Sequence, residues 1–200
     1  FIACGLPNPQ QIKSLGDLRH AVHTNTVGMT LLSTIFKFEG SDSLLEFALL
    51  VNALREACSD VQITLYCAYF PAARQDRVVN AGEAFGLRVY ADMIRSMGFK
   101  KIITNDLHSD VLFGMMPPGL IEDKKQHDLW CSEGFYGKFC IVAPDAGAAK
   151  KAQKLADKLG VECYVASKQR KADGNVEVVF THDLSSYSDV YVVDDICDGG

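Results

Sequence analysis

The chain has 200 residues, of which 48% are apolar and 22% are charged, and its formal net charge is −5. This balance excludes an intrinsically disordered chain and suits one large α/β domain or two small ones. The negative charge argues against a protein that binds nucleic acid through a basic face, but it allows phosphate ligands held by a local cluster of cations and backbone N–H groups.

The cysteines and the hydropathy pattern indicate the cellular compartment of the protein. None of the seven cysteines forms a C-x-x-C pair, and Cys67, Cys140 and Cys163 lie in apolar runs. We interpret them as reduced thiols that act as small core hydrophobes. No apolar run approaches the ~20 residues of a membrane helix, and the start of the chain, FIACGLPNPQQ, lacks the basic residues of a signal peptide. We therefore expect a cytoplasmic protein without a membrane partner.

The first readable elements follow Met29. The run MTLLSTIFKF predicts a buried strand, and Ser43 with Glu46 three residues later predicts a capping box that opens a helix. A second strand is predicted in VQITLYCAYF, from Val61. The polar segment PAARQDRVVNAGEAFG comes next and is long for a loop. Long loops in compact domains are often functional, so this segment is a candidate binding loop.

A helix, a strand and a less regular stretch complete the first half. The pattern predicts a helix over Glu83–Met97 with Gly98 as its C-terminal cap, and then the strand KKIITND, which runs into LHSD. Periodicity weakens over residues 111–138, so we place a domain boundary late in that stretch. The predicted lobes are residues 1–137 and 138–200.

The second lobe repeats the alternation of strand and helix. FCIVAPDAGAAKKAQKLADKLG predicts a strand, a glycine-containing turn and a helix that ends at Gly160. VECYVAS, VEVVF and VYVVDD are predicted strands, and KQRKADGN is a polar segment with a turn at Asp173-Gly174. The whole pattern predicts an α/β fold with mainly parallel sheets in two lobes.

Acidic residues follow three of the predicted strands, and ligands of open α/β sheets bind beyond the carboxyl ends of the strands. In D-L-H-S-D, the side chains of Asp106, His108 and Asp110 point the same way if the strand geometry continues. An imidazole between two carboxylates can bind a cation or steady a phosphate. The alternative is a helix N-cap formed by Asp110 or Ser109.

The second acidic position is Asp145 in APDAGAAKKAQK. It ends a strand, Gly147 permits close approach, and the next helix points its N-terminus at the same place. This arrangement can hold a phosphate or a hydrated Mg²⁺ ion, and the alternative is a capped helix. We interpret the lysines that follow as an exposed helix face: Lys150, Lys151, Lys154 and Lys158.

The third acidic group lies in VYVVDDICDGG. Asp194 and Asp195 can accept hydrogen bonds from the vicinal hydroxyls of a ribose. The loop from Asp198 to Gly200 can present backbone N–H groups to a phosphate. A Walker B strand also ends in acids, but the chain has no G-x-x-x-x-G-K-[ST] motif. The pattern therefore favours a site for a ribose 5-phosphate unit.

Two segments supply cations. SKQRKADG carries Lys168, Arg170 and Lys171 on a predicted loop, where they can neutralise the charge that develops on a transferred phosphoryl group. The alternative is a solvated basic turn. Arg74, Gln75 and Arg77 offer similar contacts for a triphosphate or a base.

Four segments together resemble one enzyme family. YFPAARQDR, DLHSD, VAPDAGAAKKAQKLADKLGV and VYVVDDICDGG occur in the order found in ribose-phosphate pyrophosphokinases, also called phosphoribosyl pyrophosphate synthetases. The resemblance runs from Phe38 to Gly200. The acid-rich strand end alone indicates phosphoribosyl binding, whereas its combination with F-P-x-x-R-Q-D and D-x-H-S-D is specific to the synthetases.

The resemblance implies an enzyme of nucleotide biosynthesis that transfers the diphosphoryl group of ATP to the 1-hydroxyl of ribose 5-phosphate, with Mg²⁺ as cofactor and AMP as by-product. It implies two phosphoribosyltransferase-like lobes and assembly into a homodimer or hexamer. It also implies a role for each matching residue: ATP binding by Arg74, Gln75, Asp76 and His108; magnesium binding by His108 and Asp145; transition-state stabilisation by Lys168 and Arg170; and ribose 5-phosphate binding by Asp194, Asp195, Asp198, Gly199 and Gly200.

The chain also departs from the family pattern. The nearest counterpart of the family's early adenine-binding segment is SLGDLRHAV, and Gly199-Gly200 stand where many members carry a threonine with a small residue. The family continues for roughly another hundred residues, so we expect the second lobe to be incomplete here. Two other functions stay open: a non-catalytic regulatory relative, against which Lys168 and Arg170 argue, and a phosphoribosyltransferase, which needs a nucleobase site and no ATP site.

Overall fold

A computed structural model describes residues 31–35, 41–57, 60–131, 135–170 and 176–197. The chain divides into two compact units, Phe1–Asp123 and Lys124–Gly200. The boundary predicted after residue 137 falls inside the second unit, 14 residues beyond the observed division after residue 123.

The first unit is built on a four-stranded sheet. Its strands lie in the order β1-β2-β3-β4, and β1 pairs with β2, and β2 with β3, in parallel. In chain order its elements are β1 (Leu31–Ile35), α1 (Ser41–Ala57), β2 (Gln62–Cys67), α2 (Gly86–Ser96), β3 (Lys101–Asn105), α3 (Val111–Met115) and β4 (Ile121–Lys124).

The core of the first unit follows the strand and helix periods. Alternate residues of β2 are buried, namely Ile63, Leu65 and Cys67. On α2 the buried residues recur at helical spacing, with Ala91 and Ile94 fully enclosed. Phe47 of α1 stacks on Phe99, with 5.8 Å between the ring centroids. These contacts join α1, α2 and the sheet in one apolar cluster.

Helix boundaries differ from the prediction at the N-terminal ends. α1 begins at Ser41, so the predicted capping residue Ser43 lies inside the helix. α2 begins at Gly86 instead of Glu83, because the Glu83 carboxylate accepts the backbone N–H groups of Val79 and Asn80 (3.1 and 3.0 Å). Those bonds close a separate turn before the helix. The predicted C-terminal end is confirmed, since Met97 caps α2 and the next residue, Gly98, has a left-handed φ of 68°.

The second unit carries a parallel sheet and an antiparallel ribbon. The sheet has the order β6-β5-β9, and the ribbon pairs β7 with β8. Its elements are α4 (Gln126–Trp130), β5 (Phe139–Ala143), α5 (Ala149–Leu159), β6 (Cys163–Val165), β7 (Ser167–Arg170), β8 (Val176–Val179) and β9 (Asp189–Val192). Ala152 and Leu155 of α5 pack with Ile141 and Val193 in its core. Gly160 ends α5 as predicted, with φ 69°.

The α/β fold with mainly parallel sheets is confirmed. No helix of the described residues is long and apolar enough to cross a membrane. Five cysteines of the described ranges are free thiols, and of the three placed in strands by the sequence, Cys67 and Cys140 are buried and Cys163 is half-buried.

Candidate functional site

The strand order of the second unit creates a switch point at the carboxyl edge of its sheet. β5 lies between β6 and β9 and runs parallel to both. The chain leaves β5 toward β6 and returns on the opposite side as β9, so the connections diverge between β5 and β9. Ligands of open α/β sheets bind at such points. Asp145 follows β5, and Asp194 and Asp195 follow β9, so three predicted site residues come from this edge.

Backbone N–H groups orient two of these carboxylates. The N–H of Ala148 donates to Asp145 Oδ1 (3.0 Å), and the N–H of Asp195 donates to Asp194 Oδ1 (2.8 Å). A Cβ atom at Gly147 would lie 3.1 Å from Asp145 Oδ1, which supports the predicted role of this glycine in allowing close approach. The contact with Ala148 ties the end of β5 to the start of α5.

Asp195 instead pairs with a side chain. Lys151 Nζ donates to Asp195 Oδ2 over 3.3 Å, and the Asp195 side chain is only 9% exposed. The prediction that Lys151 belongs to a solvent-facing row of lysines is wrong. It lies in the first turn of α5, the helix whose N-terminus points at the switch point, and that position was the sequence signal that it could reach the acids.

The three carboxylates influence one another electrostatically. The pKa of Asp194 is raised above its ordinary value, first by desolvation and then by a hydrogen bond with the Asp195 side chain. The negative charges of Asp195 and Asp145 act in the same direction. Crowded carboxylates of this kind are stabilised by hydroxyl donors or by a cation.

The carboxylates at this edge of the sheet are suitable ligands for a hard cation that is also coordinated by a substrate phosphate and water. Mg²⁺ prefers oxygen ligands and is often bound by one or two carboxylates together with substrate phosphates and water. Asp145 supplies a carboxylate of this type, oriented by Ala148. Across residues 31–197, apart from the gaps in the description, no group of three or more His, Cys, Asp or Glu side chains could hold a metal ion.

In the first unit, the predicted ATP-binding segment lies beyond the end of β2. Gln75 is fixed by its backbone, because its N–H donates to the carbonyl of Ala72 (2.9 Å) and its carbonyl accepts the N–H of Leu87 (3.1 Å). Its side chain lies where a Cβ atom of Gly86 would stand. Arg74 and Gln75 are exposed, and Asp76 is half-buried. The start of α2 thus positions Gln75.

The D-L-H-S-D segment does not continue the strand. β3 ends at Asn105, and Asp106 has a left-handed φ of 46°. Asp123 of β4 causes the turn, since its Oδ1 accepts the N–H of Leu107 (3.0 Å) and the hydroxyl of Thr104 (3.1 Å). Strand alternation therefore does not align the side chain of Asp106 with those of His108 and Asp110, and that expectation is wrong.

The helix-cap alternative applies to the serine of this segment. Ser109 Oγ accepts the N–H of Val111, the first residue of α3, over 3.3 Å. Asp110 adopts a helical φ of −69° just before α3. His108 is exposed in this connection, and β2 and β3 are parallel neighbours. His108 and the segment containing Arg74 therefore both leave the same edge of the sheet.

The predicted cationic loop begins as a strand. Lys168 and Arg170 occupy alternate positions of β7, opposite Val178 and Val176 of β8. The sequence predicted a loop here, but the backbone of these residues is paired. The polar turn at Asp173-Gly174 lies outside the described residues, and so do the predicted ribose 5-phosphate residues Asp198, Gly199 and Gly200.

Comparisons with known proteins show which family the chain resembles. The family profile for the N-terminal domain of ribose phosphate pyrophosphokinase matches residues 25–98. A ribose-phosphate pyrophosphokinase of Porphyromonas gingivalis is 32% identical over 171 residues, which is 80% of this chain and 52% of the relative. The chain is a homologue of the ribose-phosphate pyrophosphokinases. The resemblance expected from the four sequence segments is confirmed.

Other relatives give the same picture of a partial match. The ribose-phosphate pyrophosphokinase of Ralstonia nicotianae is 30% identical over 170 residues. The aligned region is 80% of this chain and 51% of the relative. The fold also matches the crystal structure of phosphoribosylpyrophosphate synthetase from Mycobacterium smegmatis, with a TM-score of 0.58 and 24% identity over 76% of this chain and 51% of that one. The chain spans about half the length of the ribose-phosphate pyrophosphokinases that it matches.

Proposed function

We propose that this chain provides the catalytic machinery of a ribose-phosphate pyrophosphokinase. The reaction joins the 1-hydroxyl of ribose 5-phosphate to the β-phosphorus of ATP and breaks the bond between that phosphorus and the α-phosphate oxygen. AMP leaves, the hydroxyl proton is released to solvent, and phosphoribosyl pyrophosphate is formed. The product serves nucleotide biosynthesis.

The observation that carries the proposal is the carboxylate cluster at the β5/β9 switch point. Asp194 and Asp195 are adjacent acceptors that suit the vicinal hydroxyls of a pentose, and Asp145 lies close enough to affect the pKa of Asp194. The proposed phosphate-binding residues Asp198, Gly199 and Gly200 follow directly along the chain. A sugar bound by its hydroxyls at the acids would have its phosphate near that loop.

On the nucleotide side, the proposal assigns ATP binding to Arg74, Gln75, Asp76 and His108. The support is that all four belong to connections leaving the carboxyl edge of two neighbouring parallel strands, β2 and β3. Arg74 carries a permanent positive charge suited to a phosphate, and Gln75 can donate to and accept from a base. The backbone bonds of Gln75 hold that segment in place without ligand.

Lys168 and Arg170 take the role of transition-state stabilisers in this proposal. Phosphoryl transfer needs little covalent help from a protein, so positioning and charge neutralisation account for most of the rate. Both residues occupy alternate backbone positions of β7, which pairs with β8. Mg²⁺ would neutralise phosphate charge when bound with the substrates. His108 of the first unit and Asp145 of the second unit are each proposed as a magnesium ligand.

Analysis of the products by ³¹P NMR tests the function. We expect the full-length protein, given ATP, Mg²⁺ and ribose 5-phosphate, to form phosphoribosyl pyrophosphate and AMP in equal amounts. ADP would indicate transfer of the γ-phosphoryl group alone and contradict the proposal. Failure of the full-length protein to form AMP would favour the regulatory relative, and ATP binding that depends on Arg74 would exclude a phosphoribosyltransferase.

The proposal includes a homodimer or hexamer in the cytoplasm. Leu45 and Leu49 lie one turn apart on α1 and are 64% and 62% exposed, and Val89 and Met93 form a similar exposed pair on α2. Exposed apolar pairs of this kind favour contact with another protein surface. Analytical ultracentrifugation of the full-length protein measures the assembly, and a monomer at micromolar concentration would contradict this part of the proposal.

A further inference from the structure

Both backbone and side-chain groups donate hydrogen bonds to the carboxylates of the switch point. Asp145 and Asp194 each accept a backbone N–H, at 3.0 and 2.8 Å. Asp195 accepts a side-chain N–H from Lys151, a residue 44 positions away in sequence and on a different element. A side-chain donor can be removed by substitution, so a change at Lys151 perturbs this cluster without altering its backbone.

The environment of Asp195 makes that contact important. Its side chain is 9% exposed, whereas that of Lys151 is 32% exposed. A carboxylate shielded from water and placed beside other carboxylates is costly unless a cation compensates it. Lys151 supplies that charge from the first turn of α5, and it spans from the helix to the segment after β9.

We propose that Lys151 is a positioning residue for the pentose site. It keeps the Asp195 carboxylate oriented toward the switch point before the sugar arrives, so that the sugar hydroxyls meet a preformed acceptor. It acts through Asp195 and need not touch the sugar or the transferred group. This inference rests on the proposed function for the identity of the sugar, but the Lys151–Asp195 contact itself does not.

A positioning role for Lys151 predicts different effects on the KM for ribose 5-phosphate and on kcat. An interaction that prepares a binding residue affects the affinity of ribose 5-phosphate and leaves the barrier of the bound complex largely unchanged. We expect Lys151→Met to raise the KM for ribose 5-phosphate about tenfold, because a hydrogen bond to a charged group is lost at a shielded carboxylate. The KM for ATP and kcat should stay within about threefold of the wild-type values.

The chain offers a matched control and a rescue. Lys150 precedes Lys151 on α5 and is exposed, so Lys150→Met makes the same change of charge and volume beside the contact. It should leave all kinetic constants near those of the wild type. Lys151→Arg keeps the cation and should restore most of the affinity. Equal effects of Lys150→Met and Lys151→Met, or no rise in KM for Lys151→Met, would overturn the inference.

A second measurement does not depend on activity. Hydrogen–deuterium exchange of the full-length protein without ligands reports the order of the segment 193–197. We expect faster exchange there in Lys151→Met than in Lys150→Met and wild type, together with unchanged exchange in β5. Unchanged exchange in 193–197 would overturn the positioning role. If the wild-type protein lacks the proposed activity, the function fails, and the exchange result alone decides whether Lys151 orders this segment.

Discussion

At the scale of single residues, the proposed function assigns different chemical tasks to different side chains. Asp194 and Asp195 suit the binding of hydroxyls, because they are adjacent acceptors at a strand end. Lys168 and Arg170 suit the stabilisation of charge that appears only during transfer. Substitutions at the two groups should therefore change different kinetic constants.

Replacing the cations of β7 tests this division. We expect Lys168→Ala or Arg170→Ala to lower kcat by about 10²-fold or more, with little change in the KM values, because the lost interaction is made mainly in the transition state. Steady-state kinetics with both substrates varied measures the two effects. Lys154→Ala is the control, since Lys154 is an exposed lysine on α5 outside the site. A large rise in KM with an unchanged kcat would contradict the assigned role.

At the scale of elements, the packing of α2 against the preceding loop fixes Gln75. A Cβ atom at Gly86 would collide with the end of the Gln75 side chain and lie 3.1 Å from the Cβ of Ala72. The end of a glutamine side chain can move aside at little cost, whereas its proposed contact with ATP cannot survive the move. Stability and ATP binding should therefore respond differently to a substitution here.

Gly86→Ala should raise the KM for ATP several-fold while leaving the melting temperature nearly unchanged. The displaced Gln75 loses its position, but alanine gains up to about 1 kcal/mol of helix propensity over glycine, which offsets the crowding. Calorimetry and ATP kinetics on one preparation separate the two effects. Gly114→Ala is the control, because a Cβ atom there meets nothing within 4 Å. A loss of stability without a change in ATP affinity would contradict the proposed role of Gln75.

Element types were predictable because their signals are local. The apolar run of β2, the Gly98 end of α2 and the Gly160 end of α5 depend on neighbouring residues in sequence. The Asp106 turn was not predictable, since it depends on Asp123, a partner 17 residues further on. The Lys151–Asp195 contact was missed for the same reason, because it joins elements 44 residues apart.

At the scale of the whole molecule, one buried and one exposed thiol differ in reactivity, and the buried thiol reports the integrity of the first unit. Burial raises the pKa of Cys67 from an ordinary 9.0 to about 12, and its Sγ donates to the carbonyl of Tyr69 over 3.1 Å. Because the thiolate is the reactive form, a folded first unit keeps Cys67 inert at neutral pH. Cys197 of the second unit is exposed and supplies a reactive thiol in the same chain.

Alkylation with iodoacetamide at pH 8, followed by peptide mass spectrometry, tests this contrast. We expect rapid modification of Cys197 and protection of Cys67 until denaturant unfolds the first unit. The raised pKa also makes stability depend on pH. The contribution of this thiol is fully present below pH 9.0 and is lost between pH 9.0 and about 12, because in that range the unfolded thiol is ionised and the folded one is not. Equal labelling of both cysteines in the native protein would contradict the buried position of Cys67.

Titration calorimetry with two sugars tests whether the acids after β9 bind the vicinal hydroxyls of a pentose phosphate. We expect the full-length protein to bind ribose 5-phosphate at least about tenfold more tightly than 2-deoxyribose 5-phosphate, because the deoxy sugar leaves an acceptor unpaired. In Asp195→Asn this preference should largely disappear, while Asp183→Asn, a change at an exposed aspartate outside the site, should keep it. Equal affinity of the wild-type protein for both sugars, or a preference that survives in Asp195→Asn, would contradict the claim.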